Sequence, residues 1–97
     1  MARLVFSTAA IADIDDIAAF SVEQFGTDVA DACLTGLEVR CEQLREFPAI
    51  GAIYPRLRPA VRCLIHRSHR IFYNINDDRV LIVRILHQSR DVETALS

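Results

Sequence analysis

The 97 residues carry 13 acidic against 11 basic side chains, a net charge of −2, and 52% of them are hydrophobic. A chain of that size and apolarity is expected to fold as one domain over residues 1–97 rather than two, and not to stay disordered. The charge argues against a protein that coats nucleic acid; no signal peptide or apolar run of membrane-spanning length is evident, so a cytoplasmic protein without membrane contact is expected.

In chain order, Arg-Leu-Val-Phe reads as a short strand at about 3–7, after which Ser7 and Thr8 offer helix-capping oxygens. A first helix at about 8–25 follows, with Ala10, Ile14, Ile17, Ala18 and Phe25 at helical spacing. Asp13, Asp15 and Asp16 are expected on its solvated side, in the half where the helix dipole tolerates acids. Gly26 ends this helix, and Thr27 starts the next, expected over 28–46 with the stripe Val29, Cys33, Leu37, Cys41 and Leu44. Gly36 inside it costs about 1 kcal/mol relative to Ala, which points to a close approach of the two helices there. The short Phe-Gly-Thr link makes the pair an antiparallel hairpin.

Pro48, Gly51, Pro55 and Pro59 mark a loop from about 47 to 59. Beyond it the period changes from helical to alternating, giving strands at about 60–66, 69–76 and 79–87 with tight turns at Arg67–Ser68 and Asp77–Asp78. The tail from Gln88 to Ser97 has room for one helical turn. The expected fold is α+β in two layers, a helical hairpin on an antiparallel sheet.

Charge is unevenly spread: three arginines face nine acids in residues 1–50, and eight arginines face four acids in 51–97. Two distinct surfaces are implied. Cys33, Cys41 and Cys63 are odd in number and lack metal-ligand spacing, so they read as reduced, core-facing thiols. Alternation puts Val61, Cys63, Ile65, Ile71, Tyr73, Ile75, Leu81, Val83 and Ile85 under the helices. It leaves Arg62, Leu64, His66, Arg70, Phe72, Asn74, Val80, Ile82, Arg84 and Leu86 on the far face. An apolar patch rimmed by arginine is expected to bind a partner, unless the tail or a second copy covers it.

Several runs of residues carry a resemblance. The opening Leu4-Val5-Phe6-Ser7, with Ala9-Ala10 and Asp13-Ile14-Asp15-Asp16-Ile17, is followed by Phe25-Gly26 and by Phe47-Pro48-Ala49-Ile50-Gly51. Pro59-x-x-Arg62, Ser68-His69-Arg70-Ile71-Phe72-Tyr73 and Val83-Arg84-Ile85-Leu86-His87-Gln88-Ser89-Arg90-Asp91 complete the pattern. Together they resemble the ParE/RelE superfamily of toxins from type II toxin–antitoxin modules, and within it the ParE branch. The resemblance implies sheet order 1-4-3-2, with the first strand beside the last. It implies a toxin neutralised by a cognate antitoxin, acting on DNA gyrase, in modules that maintain plasmids or chromosomes. The antitoxin is expected on Arg62, Leu64, Arg70, Phe72, Ile82 and Arg84.

The RelE branch instead cleaves messenger RNA in the ribosome, which needs cations on the phosphate and an acid–base group near the leaving oxygen. Arg62, Arg84 and His87 are the candidates for that reading. Arg84 and His87 lie three apart on a strand and so point to opposite faces, which favours a non-enzymatic inhibitor. No nucleophile completes a triad with His87 and Asp91, and Asp91 reads as a cap or a partner of Arg90. His66 and His69 lack further ligands for a metal. Tyr73 is expected to bury its ring and hydrogen-bond its hydroxyl. No cofactor is called for, and no direct nucleic-acid contact. A third reading is a small binding module that is not toxic.

Overall fold

The computed structural model describes residues 1–55, 57 and 60–96; Pro59 and Ser97, expected in the loop and at the end of the tail, lie outside them. β1 (Arg3–Phe6) leads through Ser7 into α1 (Thr8–Phe25), and the Ser7 hydroxyl accepts the Ala10 amide at 2.9 Å as the helix cap. Gly26 takes φ 85°, a left-handed conformation that a side chain disfavours, and its N–H closes α1 on the Val22 carbonyl. α2 (Thr27–Glu46) follows at once, and then β2 (Ala52–Tyr54), β3 (Val61–His66), β4 (His69–Asn76), β5 (Arg79–His87) and the single turn α3 (Val92–Leu96).

The two long helices pack on one face of a five-stranded sheet of order β1-β5-β4-β3-β2. This is the α+β fold expected, with the first strand beside the last. Two details differ. β1 pairs with β5 in parallel, so the sheet is mixed rather than antiparallel. β2 lies inside the expected loop, antiparallel to β3 at the edge; three residues are too few to show a period of two.

The face assignment needs correction on two strands. Leu64, Ile71, Tyr73, Val80, Ile82 and Ile85 form the helix-side core with Ala10, Leu37, Cys41 and Leu44. Val61, Phe72 and Leu86 form a second cluster with Val92 on the far face, flanked by Cys63. On β3 the run Val-Arg-Cys-Leu-Ile-His has apolar residues at both parities, so alternation does not decide its phase. On β5 an irregularity intervenes: Phe72 pairs with Arg84 but Tyr73 pairs with Ile82, which leaves Val83 as an extra residue. The bulge switches the face of every residue beyond it. Ile82 and Ile85 therefore point the same way although three apart.

The helical stripe also shifts. Val29 is 51% exposed while Ala30 is buried, and Phe25 is exposed. Gly36 does not meet α1; a methyl there would sit 3.3 Å from the His66 ring, so its smallness admits a strand side chain. Cys41 is buried, and burial together with Glu42 and Glu38 pushes its thiol up to about 11, which keeps it protonated and unreactive. All three cysteines are free.

Tyr73 fastens the loop before β2 to the sheet. Its ring is fully buried, its hydroxyl donates to the Pro48 carbonyl at 2.6 Å, and it accepts the Gly51 amide at 2.9 Å. Tyr73→Phe leaves both backbone groups without that partner. The expected loss is about 1–3 kcal/mol of stability, read as a lower urea midpoint with an unchanged slope.

Candidate functional site

Arg84 sits at the β5 bulge. Its Nε and Nη2 donate to the two Asp13 carboxylate oxygens at 2.7 and 2.8 Å, a bidentate pair, and its Nη1 donates to the Ala95 carbonyl of α3 at 3.1 Å. The same Asp13 carboxylate accepts the Ile85 amide at 3.0 Å. Hydrogen bonding to Asp13 raises the Arg84 pKa further above its already high value. Asp13 is 7% exposed, which corrects its placement on a solvated helix side. It lies three residues after Ala10 and four before Ile17, within the apolar stripe, and that position was the available signal. Asp15 and Asp16 are exposed as expected.

The six residues expected to meet an antitoxin do not share one open surface. Leu64 and Ile82 are in the helix-side core, and Phe72 is fully buried beneath α3 and the β2 edge, where Tyr54 meets its ring edge-on. Arg62 turns to the loop, donating to the Gly51 and Ala49 carbonyls at 2.8 and 3.3 Å. Arg70 and Arg84 share the far face with Phe72, and Arg70 donates to the Gln88 carbonyl at 2.9 Å. The far face is thus covered by the chain's own tail. Asp91 caps that tail helix, accepting from the Glu93 amide and the Thr94 hydroxyl.

The candidate catalytic set is also dispersed. Arg62 is held by loop carbonyls and Arg84 by Asp13. His87 pairs with His69, placing it on the face opposite Arg84. The His87 Nδ1 accepts the Ser89 amide at 3.1 Å.

The register does assemble something the sequence reading missed. His66 pairs with His69, and His69 with His87, so three histidines form a row across β3, β4 and β5. The His69 and His87 rings meet edge-to-face at 5.5 Å. Burial lowers the pKa of His69, with His87 and His66 adding to it; burial, then Arg67 and Arg40, lower that of His66, whose buried Nε2 has no partner among the described residues. Among the described residues no group of three His, Cys, Asp or Glu side chains is placed to hold a metal ion.

Beside this row lies a concavity of about 740 Å³, lined by residues of the helical hairpin and of the β3–β4 turn and the end of β5. Phe20, Phe25 and Val29 line one side, and Arg67, His69, His87 and Arg90 the other. No helix is long and apolar enough to cross a membrane.

A family model described as the ParE toxin of the type II toxin-antitoxin system parDE matches residues 4–92. The chain belongs to the ParE toxin family. It is 32% identical over 95 residues to Toxin ParE1 of Mycobacterium tuberculosis, covering 97% of each chain. It is 34% identical over 90 residues to Toxin ParE1 of Caulobacter vibrioides, covering 93% of each. A solved structure titled as the chromosomal ParDE TA system from P. aeruginosa superposes with a TM-score of 0.78 at 25% identity, over 90% of this chain and 96% of that one. In this ParE-family chain the motifs behind the resemblance hold one another: Asp13 of the opening run binds Arg84 of the closing run, and Tyr73 binds the Pro48–Gly51 loop.

Removing the Asp13 carboxylate leaves Arg84 half-buried without its counter-charge and the Ile85 amide without an acceptor. Asp13→Ala is expected to cost about 3 kcal/mol, and Asp13→Asn less, because its amide oxygen still accepts from Ile85. Urea unfolding of both variants checks the order. His66 and His69 set an acid limit. Their folded pKa values lie below the unfolded value of about 6.5, so unfolding takes up protons. Their contribution is fully present above that pH and is lost as pH falls from there through the folded pKa values. Thermal melts across this window should show a decline that is shallower in His66→Gln and His69→Gln.

Proposed function

We propose that this ParE-family toxin acts without catalysis, by binding DNA gyrase, and that a cognate antitoxin neutralises it in the cytoplasm. The observation that carries the reading is the commitment of Arg84. A phosphate-binding arginine must present its fork to the substrate, and here that fork is closed on Asp13 and Ala95. The acid–base candidate His87 lies on the opposite face of β5, and Arg62 is held at the loop. Arg62, Arg84 and His87, the set of the ribonuclease reading, are thus not directed at one reacting atom, as phosphodiester cleavage by them requires.

Support for an antitoxin partner comes from the family and from the fold shared with the P. aeruginosa ParDE system. The molecule itself leaves large apolar groups in water, Phe20, Phe25 and Val29 among them, as expected of a subunit that functions bound to others.

The test is induction of wild type and His87→Ala in cells lacking antitoxin, with DNA damage scored and messenger RNA ends mapped, beside a supercoiling assay with purified gyrase. Both proteins are expected to inhibit supercoiling and damage DNA to a similar degree, with RNA intact. Ribosome-phased RNA cuts that fall by about 10²–10⁴-fold in His87→Ala would establish the RelE-like ribonuclease instead.

A further inference from the structure

A second cleft, of about 320 Å³, lies between β1, α1 and α2 and shares no lining residue with the concavity beside the histidines. Leu4 and Phe6 of β1, Ile14 of α1 and Leu34 of α2 line it, and all four are only half-buried. Buried Leu37 and Cys41 complete the apolar lining. β1 is the edge strand, so no further strand of the sheet lies beyond it.

The rim of this cleft is anionic. Glu38 and Glu42, one turn apart on α2, line it and are exposed. Glu38 makes no ion pair among the described residues, and Glu42 shares Arg45 with the Ala2 carbonyl. Both charges are felt inside the cleft, where they add to burial in raising the Cys41 thiol. The wider hairpin has the same sign. All nine acids of residues 1–50 lie on its two helices, against Arg40 and Arg45. Those two are engaged, Arg40 with Gln43 and the Ile65 carbonyl, Arg45 with Glu42 and the Ala2 carbonyl.

An apolar cleft with carboxylates at its rim fits a partner that brings apolar anchors and a positive charge together. Nucleic acid and acidic peptides are repelled by the same charges. The chain's own tail cannot serve, since α3 is packed on the far face of the sheet against Phe72 and Leu86. A second copy offering its arginine-rich half would dock head to tail, a contact that propagates into open chains unless it closes in a ring.

We infer that this cleft is the docking site for a basic segment of the toxin's target, with apolar side chains seated on Phe6, Ile14 and Leu34 and a lysine or arginine on Glu38 and Glu42. The inference rests on the gyrase reading above and gives it a surface. An enzyme that grips DNA carries basic surface to neutralise phosphates, and the acidic hairpin complements it. Opposite charge steers the encounter and fixes its register, while the buried apolar contacts hold the complex.

The experiment uses the full chain with purified gyrase holoenzyme and, separately, with the cognate antitoxin. Affinities are measured at two salt concentrations for wild type, Glu38→Arg and Leu34→Gln. Glu38 is exposed, so its variant should keep the wild-type circular dichroism and melting temperature. Leu34 is half-buried, and if its variant unfolds, Glu38→Arg alone decides. Glu38→Arg is expected to weaken gyrase binding by about 10-fold or more and to reduce its salt dependence. Leu34→Gln is expected to weaken it by about 10-fold. Both should bind the antitoxin as wild type does. Wild-type gyrase affinity in folded Glu38→Arg would overturn the docking site while the gyrase reading stands. Failure of the wild type to bind gyrase would overturn both. Loss of the antitoxin with gyrase binding kept would assign the cleft to the antitoxin instead. A wild-type oligomer in sedimentation that Glu38→Arg dissociates would assign it to a second copy.

Discussion

The Asp13 carboxylate ties together the elements that give this chain its shape. β1 covers the edge of β5 only as far as Ile82, and beyond that point the β5 backbone would be bare. Ser7 takes over first, its amide donating to the Ile82 carbonyl and its hydroxyl to the Val83 carbonyl. Asp13 follows one and a half turns later, accepting the Ile85 amide and the Arg84 guanidinium. The start of α1 thereby substitutes for a missing length of strand. Because Arg84 also holds the Ala95 carbonyl, one ion pair links the hairpin layer, the sheet and the tail on the sheet's other face.

The opposite edge is treated in kind. β2 covers β3 only over Val61–Cys63, and Arg40 of α2 donates to the Ile65 carbonyl beyond it. Ser7, Asp13 and Arg40 thus bond backbone groups of β5 and β3 that β1 and β2 leave uncovered. An open strand edge invites another chain to pair with it, and these bonds shorten the open stretches of β3 and β5.

Chemistry and architecture compete for the same residues here. Arg62, Arg84 and Tyr73 each have the functional groups of a phosphodiester-cleaving site, yet each is engaged in holding a loop or an edge. A guanidinium bound bidentately to a buried carboxylate is a poor phosphate ligand, since freeing it exposes an unpaired charge in a poorly solvated place.

The strong local patterns in the sequence decided much of this protein. The 3.6-residue stripes, the Ser7 cap and Gly26 set the hairpin, and turn residues at 67–68 and 77–78 set the meander, because each depends on interactions within a few residues. Tyr73 was legible because a buried phenol must find a partner for its hydroxyl. The far face, the bulge and β2 were not legible, for a common reason: they depend on which strand lies next to which. β3 carries apolar side chains at both parities, and a single extra residue at Val83 reverses the phase of β5. The antitoxin surface drawn on alternation alone accordingly mixed core residues such as Leu64 and Ile82 with exposed ones. The Asp13–Arg84 pair spans 71 positions, and the concavity beside the histidines is lined by residues of both long helices, the β3–β4 turn and the end of β5. Neither a pairing across such a separation nor the convergence of distant elements is encoded in local pattern, so only the tertiary structure could place them.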